Sequence, residues 1–133
     1  MRAIEQIIVH CADTPASMDI GAKEIDEWHK ARGWSAIGYH YVIRRNGEIE
    51  KGRDLDKDGN VDEEIGAHAF GYNRTSLGIC LVGGAKGDFN FTRKQMDTLW
   101  RLLVALTGEY PDAVVLGHRD VSDKACPSFD VKA

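Results

Sequence analysis

The succession of predicted elements, β-α-β-β-β-α-β, points to an α/β protein: a single domain with a central mixed β-sheet flanked by helices. Three observations carry that expectation. Short apolar runs rich in β-branched residues read as strands, at residues 6–10, 77–82 and 113–116. Two longer stretches place apolar residues at helical spacing. An Asn46-Gly47 pair between two extended segments reads as a hairpin, which makes part of the sheet antiparallel.

Taken in order, Gln6 to His10 forms the first strand, and Thr14-Pro15-Ala16-Ser17 breaks it. From Gly21 to Arg32 the residues Ile25, Trp28 and Ala31 share a helix face, with Gly33 as the stop. Residues 38–50 form the hairpin around Asn46-Gly47, where a type I′ turn needs positive φ at both central positions. Leu77 to Val82 is apolar nearly throughout, as a strand buried on both faces is. Thr92-Arg93-Lys94-Gln95 is a capping box opening a second helix, whose face is expected to be Met96, Leu99, Trp100, Leu103 and Leu106, ending near Gly108. Ala113 to Leu116 is the last strand and runs into Gly117-His118.

The 133 residues suit one compact domain covering 1–133, with 43% hydrophobic and 29% charged residues. A net charge of -4, with basic residues scattered, argues against nucleic acid as a partner. No apolar run is long enough to insert into a membrane, and the first residues lack the pattern of a signal peptide. The expectation is a monomeric protein that resides in the cytoplasm. The 3 cysteines form no disulfide framework. Cys11 and Cys80 sit in apolar strands and read as small core residues. Cys126 sits among turn-forming residues before Pro127, where a core role has less force.

His10 ends the first strand, and His118, Lys124 and Cys126 fall in Gly-His-Arg-Asp-Val-Ser-Asp-Lys-Ala-Cys-Pro-Ser. Two imidazoles and a thiolate are a zinc-binding set, and three protein ligands leave a position for water. Taken singly, each histidine also fits an ordinary structural residue. Tyr39 fits a packed strand aromatic, and Lys124 a solvated loop lysine. If their strands run the same way, His10 and His118 share the strand-end crevice where α/β sheets bind ligands. His118-Arg119-Asp120 matches the start of a kinase catalytic loop, but no asparagine follows at the needed spacing and no glycine-rich phosphate loop is present.

Several stretches read together narrow the choice. His10-Cys11, Gly38-Tyr39-His40-Tyr41, Gly66-Ala67-His68-Ala69-Phe70-Gly71-Tyr72-Asn73, Leu77-Gly78-Ile79-Cys80-Leu81-Val82-Gly83-Gly84 and Lys124-Ala125-Cys126-Pro127-Ser128-Phe129-Asp130 occur in that order. The chain resembles, over nearly its whole length, the zinc-dependent N-acetylmuramoyl-L-alanine amidases of the T-odd phage lysozyme type, relatives of the peptidoglycan recognition proteins. The resemblance implies zinc held by His10, His118 and Cys126, with Tyr39 and Lys124 as catalytic partners. It also implies peptidoglycan as the substrate, with His68 and Asn73 contacting it, and a phage or prophage endolysin that lyses the wall. His29 and His40 are expected to be structural. Two other readings are a noncatalytic peptidoglycan-binding module, against which the retained Cys126 speaks, and a polymerase-binding regulator.

One segment departs from the shorter phage pattern. Residues 54–64 copy the front of an EF-hand loop, with Asp54, Asp56, Asp58, Asn60 and Asp62 in the ligand positions and Gly59 at the turn. Ile65 stands where the closing glutamate belongs, leaving Glu63 or Glu64 to complete a calcium shell. A solvated acidic turn explains the same residues without an ion.

Overall fold

The computed structural model describes residues 2–122 and residue 131. Strands β1 (Gln6–Cys11), β2 (Tyr41–Ile43), β3 (Ile49–Lys51), β4 (Ser76–Leu81) and β5 (Val114–Gly117) form one sheet in the order β3-β2-β4-β1-β5. Helix α1 spans Ala22–Ala31 and α2 spans Arg93–Glu109. The sheet is mixed as expected: β1 lies parallel to β4 and β5, β2 parallel to β4, and β3 antiparallel to β2.

Side chains alternate across a strand, so each strand feeds both faces of the sheet. Ile7 and Val9 of β1, with Leu77, Ile79 and Leu81 of β4, point one way and pack against Leu99, Leu102 and Leu106 of α2. Val42 and Cys80 point the other way, toward Ile25 of α1 and Ile37. His10, Ser76 and Gly78 alternate onto this second face. Cys11 and Cys80 are buried, and burial pushes the Cys80 thiol well above its ordinary range.

Local signals placed the helices well. The Thr92 hydroxyl accepts from the Gln95 N–H at 3.1 Å, and the Gln95 side chain accepts from the Thr92 N–H at 2.9 Å. The Gln95 amide then donates to the carbonyls of Ile43 and Val82, tying the helix start to the ends of β2 and β4. Gly33 stops α1 with φ +92°.

Two local expectations change. Trp100 is 70% exposed, and Leu102 takes its place on the inward face of α2 with Leu99 and Leu106, while Met96 and Leu103 pack beside them as expected. At about 100° per residue, Trp100 is rotated off the seam that Leu99 occupies. In the hairpin, only Gly47 of the Asn46-Gly47 pair has positive φ, so the turn is not type I′. The Gly47 N–H instead donates to the Arg44 carbonyl, and the Asn46 side chain accepts from the Glu48 N–H. A turn followed by one left-handed glycine is the next most common way to close a hairpin.

Candidate active site

Parallel pairing of β1 with β5 sets Val9 beside Gly117, so the next residues on each chain, His10 and His118, come together. Their ring centroids lie 4.3 Å apart. His10 is 1% exposed, whereas His118 opens a short 3-10 turn at the rim, where the Gly117 N–H donates to the Asp120 carboxylate. Tyr39 precedes β2 and brings its ring centroid to 5.1 Å from that of His10. The structure therefore gathers three of the residues singled out from the sequence, from separate parts of the chain. Lys124 and Cys126 lie outside the described residues.

Tyr39 and His118 line a cleft of about 470 Å³, with Trp28, Arg32, Gly84 and Lys86 among its other walls. Trp28 supplies an apolar surface, while Arg32 and Lys86 supply positive charge. The wall residues carried no signal of their own in the sequence, since a helix arginine or a loop lysine is ordinarily solvated.

Two further histidines tie neighbouring segments together through hydrogen bonds, His29 from within the cleft lining. The His29 Nδ1 accepts from the Gly38 N–H at 2.9 Å, and burial holds this imidazole below its ordinary range. The His40 Nδ1 accepts from the Gly78 N–H at 2.9 Å, so its proton sits on Nε2, 2.7 Å from the Glu64 carbonyl. Burial lowers its pKa to about 4.

His68 is 9% exposed, and both of its ring nitrogens are engaged inside the protein. Its Nδ1 lies 2.8 Å from the His10 Nε2 and its Nε2 lies 3.1 Å from the Ser76 hydroxyl. Burial holds its pKa well below the ordinary value. Asn73 uses its side-chain oxygen to accept from the N–H groups of His68 and Ala69, each at 2.9 Å. Both residues expected to contact substrate thus spend these polar atoms on building the wall behind His10. Ser76 escaped the sequence reading because a serine opening an apolar strand carries no distinguishing pattern.

The acidic loop is partly assembled. Carboxylate oxygens of Asp54, Asp56 and Asp58 lie within 4.8 Å of one another, and those of Asp56, Glu63 and Glu64 form a second such group. Hydrogen bonding to Asp58, with help from Asp56, pushes Glu63 up to about 7. Asn60 joins through its backbone N–H, which donates to Asp58 at 2.9 Å. Asp62 does not join: it is buried and accepts from the hydroxyls of Tyr41 and Tyr110. Burial, then the Asp62 carboxylate, holds both phenols above their ordinary range. The expected calcium role of Asp62 gives way to anchoring, because a carboxylate already filled by two tyrosines faces the core rather than the loop.

The architecture and its strand-end cleft define a class shared by bacteriolytic amidases and peptidoglycan recognition proteins. LysC, an N-acetylmuramoyl-L-alanine amidase from Clostridium intestinale, superposes with a TM-score of 0.80 at 31% identity, over 97% of this chain and 79% of that one. Drosophila PGRP-LB, in a complex with tracheal cytotoxin, superposes with a TM-score of 0.77 at 28% identity, over 96% of this chain and 76% of that one. The endolysin of Klebsiella phage KP32 is 53% identical over 131 residues, 96% of this chain and 82% of that protein. The profile of the N-acetylmuramoyl-L-alanine amidase family matches residues 1–129, and the chain belongs to that family.

Proposed function

We propose that this amidase cleaves the bond between the lactyl group of N-acetylmuramic acid and L-alanine with a catalytic zinc held by His10, His118 and Cys126, and that it serves as a phage or prophage endolysin. The observation that carries the metal reading is the convergence of the His10 and His118 rings, 4.3 Å apart, with His118 lining the cleft. The donor chemistry fits. Imidazoles at neighbouring strand ends suit zinc, and a thiolate from Cys126 would complete a three-ligand set. When bound, zinc supplies an acidified water and positive charge for the scissile carbonyl oxygen.

The remaining work falls to the chain itself. Tyr39, beside His10, orients the attacking water and passes a proton to the departing amine. A phenol that carries its proton at neutral pH can donate it but is not a free base. Lys124 offers an ammonium to the charge that develops on the carbonyl oxygen. The cleft walls hold the glycan-peptide so that the amide meets these groups. With 96% of the chain aligned to the phage KP32 endolysin, lysis from inside the host is the role that fits the family. Among the described residues no helix is long and apolar enough to cross a membrane. In this role the protein waits in the cytoplasm until a lesion opens the way to the wall.

Zinc content and wall digestion test the reading together. Purified protein should hold one zinc per chain, lose stem-peptide release on chelation and regain it with added zinc. Cys126→Ser, Lys124→Ala and Tyr39→Phe should each sharply reduce release. Full activity in the Cys126 variant would overturn the assignment.

A second ion is proposed for the acidic loop. The Asp54 Oδ1 is shielded from solvent and has no hydrogen-bond partner among the described residues, in a cluster with Asp56 and Asp58. Calcium there, closed by Glu63 or Glu64 rather than by Asp62, should raise the thermal midpoint at millimolar concentration. An unmoved midpoint would remove it.

A further inference from the structure

We infer that His68 and Ser76 form a buried relay that fixes the tautomer of His10, making His68 a positioning residue for the metal site. The inference rests on the reading that His10 holds the metal. A neutral imidazole has one N–H and one lone pair, and only the lone pair can bond a cation. The His10 Nε2 is occupied at 2.8 Å by the His68 Nδ1, so the metal-bonding nitrogen is Nδ1. His10 must then carry its proton on Nε2 and donate it to His68. That leaves the His68 proton on its own Nε2, where it donates to the Ser76 hydroxyl at 3.1 Å. The opposite polarity protonates the His10 Nδ1 and blocks ligation.

The surroundings are shaped to hold the His68 ring in this place. A Cβ on Gly78 would sit 2.6 Å from the His68 Cγ, and one on Gly66 would sit 2.7 Å from its Cδ2. Only glycine leaves room for the ring against β4. The His40 ring meets it edge-on at a centroid distance of 5.6 Å, and Asn73 clamps its backbone N–H. Metal-ligating histidines gain orientation and basicity from such an acceptor on the far nitrogen, and its loss typically costs 10–100-fold in metal affinity.

Competition titration with a zinc chelator tests the relay, alongside ¹⁵N spectra of the imidazole rings in zinc-free protein. Wild type should show the Nε2–H tautomer at His10. His68→Phe, which keeps a ring but no acceptor, should bind zinc about 10–100-fold more weakly and lose that tautomer preference. His68→Asn, whose carbonyl oxygen replaces Nδ1, should recover most of the affinity. Should His68→Phe not fold, Ser76→Ala decides, with a several-fold loss expected. Wild type that takes up no zinc overturns the metal reading and the relay with it. Zinc-binding wild type with unchanged affinity in the folded variants overturns the relay alone.

Discussion

The two faces of the sheet are made by the same strands under opposite rules. Toward α2, β1 and β4 present Ile7, Val9, Leu77, Ile79 and Leu81, and the contact is dry and apolar. On the opposite face they carry His10, Ser76 and Gly78, and the loop over them contributes His68. The first face is satisfied by any good packing of the right volume. The second is satisfied only when each buried nitrogen and oxygen meets a specific partner. Chemistry is thereby confined to one face, which also carries the apolar cluster of Val42, Cys80, Ile25 and Ile37, while the other face serves packing alone.

The largest effects should fall on opposite sides of that division. His118→Ala is expected to reduce wall digestion to the level of chelated enzyme while leaving the urea midpoint of zinc-free protein near that of wild type. Leu99→Ala should do the reverse, costing about 2–5 kcal/mol of stability while the remaining folded molecules digest wall normally. A Leu99 variant with intact stability and crippled turnover would break the separation.

A smaller effect should come from pH. His40 titrates near 4 in the folded protein, against an ordinary 6.5. Between those values the unfolded chain binds a proton that the folded chain refuses. Stability present above pH 6.5 should therefore fall as pH drops toward 4, with His40 contributing about 3 kcal/mol of the loss. His29 and His68, also held below their ordinary range, add to the slope. Urea midpoints of chelated protein at several pH values would measure it, and His40→Gln should flatten the curve by its share. The smallest effect belongs to the acidic loop. With Glu63 pushed up to about 7, calcium added near that pH should expel up to one proton, visible as buffer-dependent heat in titration calorimetry. Heat independent of the buffer would separate Glu63 from any ion site.

What the sequence revealed follows the same line. The capping box of Thr92 and Gln95 and the stop at Gly33 were legible because their partners lie within a few residues. The core strands were legible because a short apolar run is a property of one strand. The meeting of His10 and His118 was only conditionally legible, since it required β1 and β5 to be parallel neighbours. Trp100 was misplaced because an apolar residue one position off a helix seam looks like part of it. Asp62 was misplaced for a different reason: its two tyrosine partners lie 21 and 48 residues away, and no local pattern announces them. The role of Ser76 was hidden in the same way, by a partner that only folding supplies.

The placement of β5 has a mechanical consequence. Among the described residues it pairs with β1 alone, at the end of the sheet, and its Val114 is exposed. His10 rides on an interior strand and His118 follows an edge strand that can peel away at the cost of one ladder. Any ion bonded to both therefore acts as a clasp between rim and centre. Amide exchange along residues 114–117 should slow when the ion is loaded, making the edge strand a gauge of how tightly the site is fastened.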